Sequence, residues 1–433
     1  SMTDTEMTRE LKAAMTNPVA PSPSVEAILH AIIPFKYVDH THTDAVVAIS
    51  NSPDGEQVLQ GIYGDSVLIL PYIMPGFVLA QQVYESTRDI DWQSIEGIVL
   101  LHHGLFTFSD SARSSYDKMI ELVSQAEEHL MAIGAFAGLA AADYQPEASD
   151  YLGLAQARQA ASRHFGAPML ATWMTDPRSV GFSGISGIED IATRGPVTPD
   201  HTLQTKRIPA ILEHDPILGV EQFTADYLAY FSNNDDGSLK CLDPAPRYAV
   251  WKDKGLIVFA SNIKRRRVIS DIVEHTVKAV QWGEALGGWT TLTESQIFEL
   301  EYWELEQAKL RLAPTKGEYD GRIAVVTGAA SGIGKACVEA FAAKGAAVVA
   351  LDINPDITTL YSQPGVLGII CDITQDESIQ AAIEQGVAAF GGIDIVVSNA
   401  GAFPASSTIE EMDSAFLDQT MQINFNGHVS FIR

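Results

Sequence analysis

The chain has 433 residues, of which 46% are hydrophobic and 19% are charged, so two or three globular domains with their own cores are expected. Its 55 acidic residues outnumber 28 Lys and Arg and give a formal net charge of −27. Nucleic acids and anionic membranes are polyanions, so this charge argues against both as partners. A phosphorylated metabolite remains compatible, provided that local cations or helix N-termini hold it.

The cysteines and the longest apolar run indicate in which cellular compartment the protein is expected. Cys241, Cys337 and Cys371 show neither disulfide nor metal-ligand spacing, which predicts a reducing, cytoplasmic environment. The polar and acidic start of the chain predicts no signal peptide. The longest apolar run, residues 66–80, is interrupted by Pro71 and Pro75, and therefore predicts strand, turn and helix rather than a membrane span.

Residues 1–145 are predicted to form an α/β domain. Apolar residues at helical spacing predict a first helix with Ser24 as its N-cap and a long last helix without proline. Short apolar runs between them predict strands. The predicted helices are Ser24–Ile32 and Arg113–Leu139, and the predicted strands are Lys36–His42, Val46–Ile49, Val67–Leu70 and Gly97–Leu101.

Residues 146–315 are predicted to be a helical and mixed connecting region associated with the first domain. The predicted helices are Tyr151–His164, Val268–Gly283 and Glu294–Leu312, and a loop surrounds Arg194–His201. A polar Pro/Gly connector, Ala313–Gly321, marks the next boundary, and no internal repeat is apparent.

Residues 316–433 are predicted to form part of a Rossmann domain, because continuous apolar runs separated by helices are typical of a doubly wound parallel sheet. The predicted strands are Ile323–Thr327, Ala346–Leu351, Val366–Cys371 and Ile393–Ser398.

Two histidine pairs stand out in the first domain. In an extended segment, His40 and His42 point to the same face, so both imidazoles can reach one ion. His103 would complete a three-histidine site with an open position, as a catalytic zinc needs, while its neighbour His102 would point away. An isolated histidine is usually a surface or hydrogen-bonded residue, which is the reading for His30, His129, His164 and His214.

A glycine-rich loop opens the third domain. Gly328, Gly332 and Gly334 follow a predicted strand and begin a helix, where glycines allow a tight turn and let the backbone approach a pyrophosphate. Asp352 ends the next predicted strand, where a carboxylate can bind the ribose hydroxyls and would repel the 2′-phosphate of NADP. The alternative is a plain strand–turn–helix.

This third region resembles the short-chain dehydrogenase/reductase family, with the glycine loop, Cys371-Asp372-Ile373, Asn399-Ala400-Gly401 and a helix that carries Asn424. The resemblance implies NAD binding by Gly328, Ser331, Gly332, Ile333, Gly334, Asp352, Asp372, Ile373, Asn399, Ala400 and Gly401, and a structural and proton-relay role for Asn424. It also implies that the family's catalytic Ser and Tyr-x-x-x-Lys lie beyond residue 433, so hydride transfer is assigned to no residue here.

The first region resembles the class II aldolase/adducin family. The motifs that carry the resemblance are Pro23–Glu26, Asp39–His42, Tyr63–Asp65, Leu70–Tyr72 and His103-Gly104. The resemblance implies Zn²⁺ ligation by His40, His42 and His103, and a catalytic Glu26. It also places the family's phosphate-binding loops before Glu26, where this sequence has no Gly-Asn or Thr-Gly loop.

The implied chemistry suits these residue types. Breaking a carbon–carbon bond next to a carbonyl produces an enediolate, whose charge a metal held by three neutral imidazoles can stabilise. A carboxyl group with a raised pKa can protonate the enediolate, and Glu26 is the candidate. The alternative is that Glu26 only interacts with the dipole of its helix.

The order of the domains and the segments Arg194–His201 and Glu301–Leu310 resemble the bifunctional rhamnulose-1-phosphate aldolase/lactaldehyde (alcohol) dehydrogenases. This group implies cleavage to dihydroxyacetone phosphate and lactaldehyde, coupled to NAD-dependent oxidoreduction of the aldehyde, by a homo-oligomer. Two alternatives stay open. Only the dehydrogenase is active and the first domain is a sugar-binding relic, or the first domain is an interaction module, as in the adducins.

Two further polar groups are predicted to be solvated. Asp200, His201 and Lys206 are predicted to lie in a solvated loop, and the basic run Lys264–Arg267 is predicted to be a solvated helix start rather than a nucleic-acid patch.

Overall fold

Three four-stranded sheets, each covered by helices, follow one another along the chain. The computed structural model describes residues 2–311, 316–403 and 408–433. Part of the predicted connector, residues 312–315, therefore lies outside the described residues.

The first sheet is mixed. Its strands are β1 (Tyr37–Thr41), β2 (Val67–Leu70), β3 (Gly97–Leu100) and β4 (Gly104–Ser109). They lie in the order β1-β4-β3-β2, with β2 and β3 parallel and the other neighbours antiparallel. The helices around it are α1 (Asp4–Ala13), α2 (Ala27–Ile32), α3 (Asp44–Ser50), α4 (Gly55–Tyr63), α5 (Phe77–Thr87) and α6 (Ala112–Ala132).

Three predictions for this domain are wrong. Ser24 is not the N-cap of α2, because this helix begins at Ala27 and Glu26 occupies the N-cap position. The predicted strand Val46–Ile49 lies within α3, whose residues from Ala45 to Ser50 are all buried. A short, continuous apolar run does not distinguish a buried strand from a buried helix, so the sequence pattern was ambiguous here. The predicted long helix ends at Ala132 instead of Leu139, before Gly134 adopts a left-handed φ of 80°.

The middle region contains a complete second sheet that the sequence analysis did not predict. Its strands are β5 (Leu170–Met174), β6 (Ala210–Leu212), β7 (Tyr248–Trp251) and β8 (Gly255–Ala260). The helices are α7 (Ala148–Phe165), α8 (Pro177–Ser183), α9 (Ile188–Ile191), α10 (Thr202–Thr205), α11 (Pro216–Asn234), α12 (Ile263–Ala285), α13 (Glu294–Glu301) and α14 (Glu304–Arg311). The single helix predicted over Glu294–Leu312 is thus two helices, interrupted at Tyr302 and Trp303.

The second sheet repeats the topology of the first. Its order is β5-β8-β7-β6, again with one parallel pair, β6 and β7, next to antiparallel neighbours. In each sheet a three-residue turn is followed by a glycine, Gly104 or Gly255, that begins the second strand of the hairpin. The middle residue of each turn, His102 or Asp253, has a left-handed φ of 58° or 63°. The repeat lies in the strand pairing, which different side chains can support, so it is not apparent in the sequence.

The third sheet is parallel. Its strands are β9 (Ile323–Thr327), β10 (Ala347–Asp352), β11 (Val366–Ile370) and β12 (Ile395–Val397), in the order β11-β10-β9-β12. The helices are α15 (Gly332–Ala343), α16 (Ile357–Leu360), α17 (Asp376–Phe390), α18 (Ser414–Met421) and α19 (Gly427–Ile432), with a π-helical segment, Gln422–Asn426, between the last two. This order is typical of the first part of a Rossmann fold.

A shared core joins the first two sheets. One buried cluster includes Val47 and Leu122 from the first domain together with Val258, Ile269 and Val277 from the second. The amide of Asn51 also donates a 2.8 Å hydrogen bond to the carbonyl of Val197. The two domains therefore form one packed unit.

Edge strand β5 connects this unit to the third domain. The hydroxyl of Thr172 donates a 2.8 Å hydrogen bond to the carbonyl of Ala389 at the end of α17. Gly321 approaches Pro168 so closely that a Cβ on this glycine would collide with the Pro168 carbonyl. Close backbone contact of this kind fixes the third domain against the second.

An ion pair with a buried arginine reinforces this interface. From α7, the guanidinium of Arg158 lies 2.5 Å from Asp394 Oδ2 and donates to the carbonyls of Gly321, at 3.1 Å, and Met169, at 2.5 Å. Arg158 is 8% exposed. One side chain thus satisfies acceptors from both domains.

We predict that Arg158→Met destabilises the protein by about 3 kcal/mol, because the substitution removes the charge-assisted hydrogen bonds that the buried guanidinium donates to the carbonyls of Met169 and Gly321 and to Asp394. Urea unfolding followed by fluorescence measures the effect. On the same helix, Arg163→Met is the control, since Arg163 is exposed and lies 3.7 Å from its partner Glu221. This control is expected to change the free energy of unfolding by less than about 1 kcal/mol, and equal losses in both variants would contradict the prediction.

Candidate functional site

Three histidines converge at one end of the first sheet. His40 lies in β1 and His42 directly follows it, with their ring centroids 4.8 Å apart. His103, at the end of the β3–β4 turn, places its ring centroid 5.3 Å from that of His40 and 4.8 Å from that of His42. The candidate ligand nitrogens of the three residues all lie within 4.8 Å of one another.

The hydrogen bonds around these rings fit a divalent metal. Nδ1 of His40 donates a 3.1 Å hydrogen bond to the Leu105 carbonyl, so the neutral ring has its lone pair on Nε2, 2.9 Å from Nε2 of His42. Nε2 of His103 is buried without an aligned hydrogen-bond partner in the described part of the chain. Burial lowers the pKa of His40 to about 3, which keeps its lone pair available at neutral pH. Three neutral imidazoles are a donor set typical of catalytic zinc.

His102 lies apart from this cluster for a reason that differs from the predicted one. It is not on a strand but in the turn, with a φ of 58°, and its backbone N–H donates a 2.5 Å hydrogen bond to the Ser50 hydroxyl. The turn, rather than strand alternation, separates the two neighbouring imidazoles.

Gly104 allows the ligands to approach. A Cβ at this position would lie 2.5 Å from the Thr41 carbonyl oxygen, 2.8 Å from His42 Cδ2 and 3.0 Å from His40 Cε1. The hairpin can therefore bring His103 next to the other two rings only with glycine after it.

Glu26 lies beside the histidines, immediately before α2. Its Oε1 is 3.2 Å from Nε2 of His103 and 3.6 Å from Nε2 of His40. Burial alone would raise the pKa of Glu26, but the hydrogen bond with His103 and the electrostatic interactions with the three histidines lower that pKa to about 2. The predicted raised pKa is thus wrong, because the carboxyl group lies against histidine nitrogens rather than against an apolar wall. Glu26 is a carboxylate that can accept a proton.

The second domain supplies one wall of the cavity at this site, a contribution that the sequence analysis missed. The cavity has a volume of about 280 Å³, and Glu26 and His103 line it together with Asp200, Gln204 and Arg265. Asp200 Oδ2 lies 3.8 Å from Nδ1 of His42. The segment Thr198–His201 was a visible signal, but nothing in its spacing indicated that it contacts His42.

The predicted solvated loop is wrong for His201 and Lys206. Burial lowers the pKa of His201 to about 4, and it lowers the pKa of Lys206, which is 3% exposed, to about 8. Nζ of Lys206 lies 4.0 Å from the ring centroid of Tyr227 and 3.8 Å from Oε1 of the buried Glu301. These two side chains are packed within the second domain, whereas Asp200 has a side chain that is 40% exposed.

A second cavity, of about 450 Å³, lies at the carboxyl ends of the strands of the third sheet. Ten of the residues predicted to bind the cofactor line it. They are Gly328, Ser331, Gly332, Ile333, Asp352, Asp372, Ile373, Asn399, Ala400 and Gly401. Gly334 has a packing role instead, since a Cβ there would collide with the Gly328 carbonyl.

Hydrogen bonds fix this cavity. Asp352 accepts from the backbone N–H of Ala330 in the glycine loop at 2.8 Å, and Asp372 accepts from the backbone N–H of Thr374 at 2.9 Å. The side-chain amide of Asn399 donates to the Thr327 carbonyl at 3.0 Å. The carboxylates and the loop are thus held at the positions where a dinucleotide binds in a Rossmann fold.

Asn424 does not line this cavity. Its side chain, in the π-helical segment, accepts from the N–H of Ala402 and donates to its carbonyl, both at 2.9 Å. It therefore fixes the backbone that follows Gly401.

Known protein families match all three parts of the chain. Residues 3–130 match the class II aldolase and adducin N-terminal domain, residues 148–310 match the second domain of class II aldolases, and residues 322–433 match the short-chain dehydrogenases. Each matched segment contains one of the three sheets. The chain joins class II aldolase domains to a short-chain dehydrogenase domain. In the described ranges, no helix has the length and apolar character needed to cross a bilayer.

Similar curated proteins span either the whole chain or its last domain. An uncharacterized oxidoreductase of Bacillus subtilis is 30% identical over 437 residues, which cover 95% of this chain and 63% of that protein. D-threitol dehydrogenase of Mycolicibacterium smegmatis is 41% identical over 25% of this chain and 44% of its own length. NAD-dependent glycerol dehydrogenase of Listeria innocua is 38% identical over 24% of this chain and 42% of its own length. The chain thus spans less than two thirds of the length of each of these relatives.

We predict that Gly104→Ala lowers metal affinity about 10- to 100-fold, because the added methyl group displaces His40 and His42. Metal content after dialysis against a chelator series measures the loss. Gly61→Ala in α4 is the control, because a Cβ there meets no atom within 4 Å. Unchanged metal affinity in Gly104→Ala would show that the three histidines do not hold the ion together.

Proposed function

We propose that the aldolase domains cleave a ketose 1-phosphate of the rhamnulose-1-phosphate type to dihydroxyacetone phosphate and lactaldehyde, and that the dehydrogenase domain oxidises or reduces the aldehyde with NAD. The convergence of His40, His42 and His103, with Glu26 beside them and with Glu26 and His103 lining one cavity, supports this proposal. Coupling both steps in one chain consumes a reactive aldehyde near the place where it forms.

In the first step, each residue has a distinct role. His40, His42 and His103 would hold Zn²⁺, which would supply an electrophile for the carbonyl and hydroxyl oxygens of the substrate. Glu26, with a pKa of about 2, is ionised and can remove the proton from the carbon next to the carbonyl in the direction of carbon–carbon bond formation. In the cleavage direction the substrate hydroxyl that becomes the aldehyde loses a proton as the carbon–carbon bond breaks, and Glu26 accepts a proton and delivers it to the enediolate carbon, so that no net proton is gained or lost.

The imidazoles are held in place by their surroundings. The ring of His40 stacks on Phe106, with centroids 3.8 Å apart and an interplanar angle of 12°, while its Nδ1 is bonded to the backbone. Ligands that cannot rotate favour metal binding, because little conformational entropy is lost when the ion binds.

In the second step, the dehydrogenase cavity would hold the dinucleotide, which supplies or accepts the hydride. Asp352 stands where it would contact the adenosine ribose, and its charge favours NAD over NADP. The names D-threitol dehydrogenase and NAD-dependent glycerol dehydrogenase also support NAD and a small hydroxylated substrate.

We also propose the partners, the oligomeric state and the location of the enzyme. Small-molecule partners, a homo-oligomer and a cytoplasmic location follow from the resemblance, the acidic charge and the scattered cysteines, with neither nucleic acid nor membrane as a partner.

The decisive test compares aldol cleavage with metal content in purified protein. Glu26→Gln is expected to retain metal and lose cleavage of rhamnulose 1-phosphate by about 10²- to 10⁴-fold, as for the loss of a general acid–base group. His40→Ala with His42→Ala is expected to lose both. Glu56→Gln, on the exposed surface of α4, is the control. Metal binding by wild-type protein without any release of aldehyde would favour the sugar-binding or interaction alternatives.

A separate test concerns the cofactor. Binding titrations with NADH and NADPH are expected to show a clear preference for NADH, and Asp352→Ser is expected to reduce that preference, since the substitution removes the charge that repels the 2′-phosphate. Asp356→Ser, which changes the same charge on the nearby surface, is the control. A wild-type preference for NADPH would contradict the role given to Asp352.

A further inference from the structure

The basic run Lys264–Arg267 lies in the first turn of α12, where no acidic residue stands. Cations are unfavourable at this end of a helix because the helix dipole is positive there. The predicted solvated helix start is wrong for two of the four residues. Arg266 lies 5.5 Å from the ring centroid of Phe390 and donates to the Pro364 carbonyl at 3.3 Å, both in the third domain. Arg265 lines the metal cavity.

Arg265 has a neutral partner. Its guanidinium donates to Oε1 of Gln204, and no carboxylate of the described residues lies within the 4.0 Å of an ion pair. In contrast, Arg158, Arg194 and Arg247 each pair with a carboxylate at 2.5–2.7 Å. A half-buried guanidinium whose hydrogen-bond partner is a neutral amide is suited to an anionic ligand.

A third cavity adjoins the metal cavity at these two residues. It has a volume of about 460 Å³ and shares Gln204 and Arg265 with the metal cavity. Lys264 and Lys316 line it too, together with Asp320. Asp320 already accepts a 2.9 Å hydrogen bond from the N–H of Gly317. Arg265, Lys264 and Lys316 thus supply three positive charges along the two cavities, beside the carboxylates of Asp320 and Glu306.

We propose that Gln204 and Arg265, both from the second aldolase domain, bind the phosphate group of the substrate. The planar guanidinium can donate two parallel hydrogen bonds to a phosphate monoester, and the Gln204 amide can donate a third from Nε2. The reacting carbons of the same molecule then lie towards Glu26 and the histidines. This assignment names the residues that select a phosphorylated substrate, and it rests on the proposed function.

Calorimetric titration of the full chain with inorganic phosphate tests the site. Arg265→Gln is expected to weaken phosphate binding about 10- to 100-fold, the effect of losing a charge-assisted hydrogen bond. Arg267→Gln changes the net charge equally in the same helical turn, but on the exposed side, and is expected to stay within about twofold of wild type. Thermal unfolding verifies that both variants are folded.

Gln204→Glu provides a second variant that leaves Arg265 in place. The new carboxylate would pair with the guanidinium and repel the anion, so the same loss of phosphate binding is expected. If wild type does not bind phosphate, or if Arg265→Gln and Arg267→Gln weaken it equally, the proposal is overturned.

The metal-deficient variant, His40→Ala with His42→Ala, separates this proposal from the proposed function. It is expected to bind phosphate within about twofold of wild type while losing its metal. Loss of phosphate binding in that variant would place the anion on the metal and overturn the subsite. Intact phosphate binding that depends on Arg265, together with no aldol cleavage by wild type, would refute only the aldolase reaction.

Discussion

The antiparallel pairing of β1 with β4 is the constraint on which the metal centre depends. It places His40 opposite Phe106 and Thr41 opposite Leu105, so the Leu105 carbonyl can fix the tautomer of His40 while Phe106 supports its ring. The same pairing brings the hairpin turn, and with it His103, next to His42. A shift of the register by one residue would turn His40 to the other face of the sheet and separate the ligands.

The candidate active-site cavity is lined by both aldolase domains. His103 and Glu26 come from the first domain, whereas Asp200, Gln204 and Arg265 come from the second. A common hydrophobic core holds these groups at fixed positions relative to one another, because α3 packs against α12 and the two sheets share buried side chains. The second domain is thus a structural part of the site, and its stability affects the geometry of the cavity.

The sequence predicts well what is encoded locally. His40 and His42, or Gly328 and Asp352, are related by a strand spacing or by a strand–loop–helix motif, so their grouping follows from short-range geometry. The contacts of Arg265 and Asp200 depend on how two domains pack. The residues that flank them in the sequence do not indicate that packing. The pKa of Glu26 could not be predicted from the sequence either, because it is lowered by histidines that are distant in the chain.

The hairpin that holds His103 occurs twice, and the second copy shows what belongs to the fold alone. In the β7–β8 turn, Lys254 precedes the glycine as His103 does in the first turn. Its Nζ lies 2.5 Å from the buried carboxylate of Asp150. One turn thus presents a lone pair to a cation, and the other carries a cation that is neutralised within the protein. The shape of the hairpin is a property of the scaffold, while the chemistry changes with the single side chain placed before the glycine.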